Sequence, residues 1–278
     1  MAQAGQKIRK PFVAGQFYPE NPSVLQDEIK TLLARARSSP DPKVRGLIVP
    51  HAGYMYSGGV AAEAYKTVQD CSFDLVIIIA FLHRVYLKGV LVDDVDFYET
   101  PLGRVPADKN FARQMRAASP CLREEVAGDS IEEHSLEVQI PFLQTVIKGL
   151  KIVPVYMGEH SLENAKAIAG ALGKLLSGKN ALVVVSTDLS HFYPYETAVQ
   201  KDQKLIKLIE QGDLSKISKA SRAGEAEACG LGPVASSLLL AGELGWGNPE
   251  LIHYENSGDV TGDRRSVVGY AAMAYRKA

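Results

Sequence analysis

Cysteine is scarce in this chain. Its 278 residues include Cys71, Cys121 and Cys229 and no others, too few and too scattered for a disulfide framework, so all three are expected as free thiols. Net charge is scarce too: 31 Lys and Arg against 32 Asp and Glu leave -1, with the two signs mixed along the chain. No basic stripe is available to neutralise phosphates, which argues against nucleic acid and leaves a small molecule or a peptide as the expected ligand. Long apolar runs are missing. The longest lies near Leu75–Leu82, far short of the roughly 20 residues of a membrane helix. Met1–Lys10 carries basic residues with no apolar stretch behind them, so a cytoplasmic protein with no membrane partner is expected. Absent as well are the G-x-S-x-G elbow, the H-E-x-x-H pair and the G-x-G-x-x-G fingerprint, which argues against serine hydrolases, zincins and dinucleotide-binding enzymes. Gly173–Asn180 comes near a phosphate loop, but it ends in Asn and follows a helix rather than a strand, the wrong order for aiming a helix N-terminus at phosphates.

What is present is alternation. With 46% hydrophobic and 23% charged residues the chain can bury a full core, and it shows no repeat, low-complexity tract or linker. A single α/β domain over residues 1–278 is expected, its central mostly parallel or mixed sheet flanked by helices on both faces. Strands are expected at Gly46–Val49, Asp74–Ala80, Lys151–Met157, Ala181–Ser186, Glu250–Tyr254 and Val267–Tyr275, with short edge pieces at Val90–Val92 and Phe97–Thr100. Helices are expected from Pro22 to about Arg37, Val60–Val68, Asp108–Ala118, Glu163–Leu176, Glu196–Gln211 and Leu214–Ala220, with an apolar one running from the Cys229-Gly230 turn to Leu244. The stretch Glu132–Lys148 reads as one helix kinked at Pro141, because Leu136, Ile140, Leu143 and Ile147 fall on one face. The polar loop Asn256–Arg265 reads most simply as solvated surface.

Three of the apolar strand-like runs end on a histidine: His51, His83, and His191 after Asp188-Leu189-Ser190. Ligands of open α/β sheets collect beyond the carboxyl ends of the strands, so these imidazoles are expected in one pocket. A single histidine is more often a hydrogen-bonded surface or core residue; the repetition is the signal. Neutral imidazole is the commonest metal ligand, and two histidines plus an anionic ligand suit iron(II) and related metals. His51 and His83 are the first two candidates, and Asp188 and Cys229 compete for the third place. Cys229 opens an expected helix, where the macrodipole favours thiolate, so it could ligate a metal or act as a nucleophile with His191 as base. Asp188 and His191 are spaced so that the carboxylate can orient the imidazole, with His191 as the proton-moving group. Tyr54, Glu133 and His134 are assigned to the pocket edge, and His160 and His253 are read as structural. The residues leave the oligomeric state open.

Four segments together carry a resemblance: Pro50–Gly58, Glu133–Leu143, Ser186–His191 and the Cys229-Gly230 turn, joined by Pro11–Pro19 near the start. In this order they resemble the MEMO family, whose prokaryotic members include the B protein of the AmmeMemoRadiSam system, over nearly the whole chain. The resemblance implies a fold similar to class III extradiol ring-cleaving dioxygenases. It also implies a metal centre of His51, His83 and Cys229 with Asp188 and His191 beside it and iron or copper as the cofactor; in eukaryotic relatives the same pocket is linked to iron or copper binding, redox activity and the binding of phosphotyrosine peptides. One departure stands out: Ala80-Phe81-Leu82 precedes His83 where the family has small residues, and these bulky side chains are expected to crowd the pocket.

Overall fold

The computed structural model describes residues 5–124 and 131–277. The expected domain span of 1–278 and the Met1–Lys10 reading therefore extend in part outside the described residues. In chain order the elements are β1 (Ile8–Arg9), α1 (Pro22–Arg35), β2 (Val44–Val49), α2 (Tyr54–Lys66), β3 (Leu75–Phe81), β4 (Val90–Val92), β5 (Phe97–Thr100), β6 (Gly103–Pro106), α3 (Lys109–Ala118) and β7 (Leu122–Arg123). A 3-10 turn (Glu137–Gln139) leads into α4 (Ile140–Val146). Then follow β8 (Ile152–Met157), α5 (Leu162–Leu175), β9 (Ala181–Ser186), β10 (His191–Tyr193), α6 (Tyr195–Glu210), α7 (Leu214–Arg222), α8 (Leu231–Leu244), β11 (Glu250–Asn256), α9 (Ser257–Thr261) and β12 (Val267–Arg276).

Strand periodicity sorts the core into two layers. In β3, Val76, Ile78 and Ala80 face α1, α2 and α4, while Leu75, Ile77 and Ile79 face α3, α5 and α8. A strand apolar at every position can do this only when helices cover both sheet faces. The main sheet runs β10-β12-β2-β9-β3-β8-β4-β7, with β11 also on β12. Its centre, β2, β9, β3 and β8, is parallel, while β12 and β4 pair antiparallel at the flanks, which makes the sheet mixed. A second, smaller sheet, β1-β5-β6, lies apart from it; the expected edge piece at Phe97–Thr100 belongs there.

Local chemistry sets the helix starts. The Asn21 side chain accepts from the Ser23 and Val24 N–H groups at the head of α1, and Asp108, Ser161 and Asp213 do the same for α3, α5 and α7. Two expectations need correction. Helix α2 starts at Tyr54, six residues before Val60, because the Gly53 carbonyl already receives the Tyr56 and Ser57 N–H groups. Glu132–Lys148 is not one helix: residues 131–136 are irregular and Pro141 sits in the first turn of α4, where its missing N–H costs nothing. Among the described residues no helix is long and apolar enough to cross a membrane.

Candidate metal centre

Adjacent strands β2, β9 and β3 deliver the site. The helix leaving β2, α2, packs on one sheet face and that leaving β9, α6, on the other, so the chain diverges at the β2/β9 boundary and opens a crevice there. His51 follows β2, Ser186 ends β9 and His83 follows β3. The ring centroids of His51 and His83 are 5.2 Å apart, and His134 stands 5.3 and 5.0 Å from them. One ligand atom each from His51, His83 and Cys229 falls within 4.8 Å of the others; so does one each from His83, Glu133 and His134.

The hydrogen bonds behind these rings decide which nitrogens face forward. Ser186 Oγ has one proton, which it donates to the Ser135 carbonyl at 2.5 Å, and it accepts from Gln139 Nε2 at 2.8 Å. His51 Nδ1, 2.9 Å from the same oxygen, must therefore be the protonated nitrogen, leaving a lone pair on Nε2. Gln139 is itself fixed by the Pro50 carbonyl and the Tyr65 hydroxyl. Behind His83 the acceptor is Glu133, whose carboxylate takes the His83 N–H at 2.5 Å, His83 Nδ1 at 3.1 Å, and the His134 and Ser135 N–H groups at 3.0 Å. Burial pushes the Glu133 carboxyl up, but hydrogen bonds from His134, His83 and the Ser135 N–H outweigh it and hold it far below the carboxylate range. Its ionised form accepts only, so His83 also carries its proton on Nδ1 and turns Nε2 outward. His51, 2% exposed, is kept neutral by burial and by the neighbouring imidazoles His134 and His83.

Cys229 Sγ lies 3.2 Å from His51 Nε2 and accepts from the Asp188 N–H at 3.2 Å. Its turn is clamped to β9: the Cys229 N–H reaches the Asp188 carbonyl and the Gly230 N–H the Thr187 hydroxyl. A Cβ on Gly230 would stand 2.5 Å from Thr187 Cβ and 2.8 Å from the Ser186 carbonyl, so only glycine allows this approach. The expectation of a thiolate favoured by the start of α8 is corrected. Burial, then the Asp188 carboxylate, pushes the thiol up to about 12, more than the hydrogen bonds from the Asp188 N–H and the Thr187 hydroxyl offset.

Asp188 does a different job from the one its spacing implied. Its Oδ1 accepts the His51 N–H at 2.7 Å, and among the described residues no hydrogen bond joins it to His191. Burial raises its carboxyl, partly countered by that His51 N–H. His191 and Asp188 instead line a cleft of about 610 Å³ beside the cluster, together with His134, Phe17, Met55 and Phe192. Tyr54 turns away from it; its hydroxyl donates to the Val138 carbonyl in the core. Phe81 stacks on His160 at 3.9 Å and 18° and meets the His83 ring edge-on, with centroids 5.5 Å apart. His160 Nδ1 in turn accepts the Gly232 N–H in the first turn of α8. His253 lies on β11 beside Glu255. The loop read as solvated contains α9, and its Ser257, Thr261 and Asp263 form a cleft wall. Sequence reasoning missed Ser135, Gln139 and Phe17; the only local signals were their places inside the Glu133–Leu143 and Pro11–Pro19 segments.

Comparison with known proteins decides the family. The Memo-like protein family model matches residues 9–274. The chain belongs to the Memo family. Its relatives include MEMO1 family proteins from Nitrosopumilus maritimus, 36% identical over 96% of this chain and 99% of that protein, and Methanopyrus kandleri, 33% identical over 97% and 99%. Another, from Methanococcoides burtonii, is 38% identical over 96% and 99%. The Memo fold of this chain is also similar to the crystal structure of the uncharacterized protein JW3007 from Escherichia coli K12, with a TM-score of 0.51 at 12% identity, covering 83% of this chain and 99% of that one.

Proposed function

We propose that this Memo-family chain is a metal-dependent oxidoreductase in which His51, His83 and Cys229 hold iron(II) or copper and the adjoining cleft receives a small-molecule substrate. One observation carries the reading: two imidazoles have their Nδ1 protons tied to Ser186 and Glu133, so that both carry the lone pair on Nε2, that of His51 meeting the Cys229 thiol at 3.2 Å. Histidine ligands are oriented in this way by the acceptors behind them. The donor set, two imidazoles and a thiol, fits a transition metal, with the thiol giving up its proton to ligate. When bound, such a metal supplies one-electron chemistry and open coordination positions.

The chain's own groups supply the rest. His191 faces the cleft with no hydrogen-bond partner on its ring among the described residues, free to accept or deliver a proton at the substrate. Asp188 fixes the backbone of His51, the buried ligand of the three; Cys229 is half-buried and His83 exposed, so the cluster stays open on the His83 side. A metal-free nucleophile is disfavoured, since burial pushes the Cys229 thiol up to about 12 and away from the thiolate. Metal content after anaerobic purification, with an anomalous-scattering map, tests the reading. Iron or copper at near unit occupancy, lost in His51→Ala, together with oxygen uptake on catechol-like compounds, is the expected result. Occupancy without oxygen uptake would reassign the pocket to metal or peptide binding, and absence of metal at His51 would overturn the proposal.

A further inference from the structure

The cleft has an aromatic residue whose backbone is strained for no gain in packing. Strand β10 pairs with β12 through Val268 opposite His191 and Val267 opposite Tyr193, so its register slips by one across Phe192. Phe192 takes φ 65°, the left-handed region that glycine enters freely and phenylalanine only at a cost. Successive strand residues point to opposite sides. Here the slip brings His191 and Phe192 to the same cleft, their rings edge-on at 5.7 Å. The Phe192 side chain gains no burial from this; the residue is 73% exposed. Strain of this kind, kept without a packing return, is a mark of ligand sites.

The charge of the wall narrows the ligand. Among the described residues neither Lys nor Arg lines the cleft, and its carboxylates are Asp188 and Asp263, the latter already held by Arg265 at 2.7 and 3.0 Å. In the metal-free chain an anionic group placed here would face Asp188 with no lysine or arginine of the lining to receive it. Opposite in character, Phe17, Met55, Tyr56 and Tyr270 add apolar surface, and Met55 is 68% exposed. A flat, uncharged body matches this lining; a phosphate-bearing one does not.

We propose that Phe192 is the specificity-determining aromatic of this cleft, held in a left-handed backbone so that its ring covers the flat, uncharged part of a ligand whose polar end meets His191, Asp188 and His134. The inference rests on the reading of the cleft as the substrate site of the metal centre. The test uses two probes of identical body, N-acetyltyrosinamide and its O-phosphorylated counterpart, titrated into the full chain without metal and followed by protein NMR shifts. The uncharged probe is expected to bind at millimolar concentration and the phosphorylated one at least about tenfold more weakly, since like charges face each other. Phe192→Gly is expected to lose about three- to tenfold in affinity for the uncharged probe, the value of one aromatic contact. It is also expected to melt no lower than the wild type and above Phe192→Ala, because glycine relieves the strain and alanine does not. No saturable binding of the uncharged probe, equal or tighter binding of the phosphorylated one, unchanged affinity in Phe192→Gly, or a lower melting temperature for Phe192→Gly than for Phe192→Ala would each overturn the proposal. Iron and copper content is measured on the same anaerobic preparations before the metal is removed for the titration. A wild type that holds no metal counts against the metal reading alone, whereas an unchanged probe affinity counts against Phe192 alone.

Discussion

Ser186 has one hydroxyl proton and three partners, and that shortage decides which nitrogen His51 turns forward. Ser186→Ala removes the acceptor, so the imidazole can place its proton on either nitrogen and part of the population presents N–H where a lone pair is needed. Metal affinity is expected to fall by about 10–100-fold, the usual effect of losing the partner behind a ligand. The same change costs about 1–3 kcal/mol of stability, because the Ser135 carbonyl and one Gln139 proton lose their partner. Competition against a chromophoric chelator reads the first and urea unfolding the second; unchanged affinity would show that Ser186 does not fix the tautomer. None of this was visible in the sequence. Ser186 and His51 are 135 residues apart, and nothing local marks a serine at the end of a buried strand as the anchor of a distant ring. Asp188 illustrates the same limit: its spacing suggested a partner three residues on, whereas its carboxylate serves a backbone amide 137 residues away.

Elements were more legible than contacts. The runs ending at His51 and His83 were readable because a buried parallel strand is apolar at every position and its carboxyl end is where such sheets place function. The segment after Glu133 misled for a physical reason: its 3.6-residue apolar period is real, and Leu136, Ile140 and Leu143 are all buried, but tertiary bonds override the helix before it starts. The Glu133 carboxylate takes the His134 and Ser135 N–H groups, and Ser135 Oγ donates to the Phe81 carbonyl, holding that stretch open. Between α1 and α2 a similar carboxylate does a purely structural job. Glu63 accepts the Arg37 and Ser38 N–H groups and the Ser38 hydroxyl. Burial pushes its carboxyl up, but these hydrogen bonds bring it below the ordinary value of 4.5. A carboxyl lowered on folding contributes stability above its unfolded value, and that contribution is lost as pH falls through the folded one. Glu63→Gln is therefore expected to cost about 1–2 kcal/mol at neutral pH. The gap to wild type should shrink as pH drops below 4.5 in urea unfolding; a gap independent of pH would assign the loss to packing instead.

The whole molecule places two layers of helices around one mixed sheet and sets the candidate ligands where the chain diverges from its two faces. Those ligands come from after β2, after β3 and before α8, so a metal bound by all three ties together segments that unfolding would separate. Binding to the folded state alone adds about 2.7 kcal/mol when free metal is a hundredfold above its dissociation constant. Scanning calorimetry of the anaerobic chain with iron(II) or copper(I) is expected to show a rise of roughly 5–10 °C for a chain of this size. The rise should vanish in His51→Ala, and a rise that persisted there would move the bound metal elsewhere.

The sheet order carries a last consequence, for biosynthesis. Strand β2, which leads to His51, has β12 as a neighbour, with Ile48 opposite Met273. A ribosome adding roughly 5–20 residues each second takes about 11–45 s to pass from one to the other. Until β9 is made both edges of β2 lie open, one stays open until β12 emerges, and Cys229 appears only towards the end. A cation offered early meets isolated imidazoles, so loading of the complete ligand set follows translation rather than accompanying it.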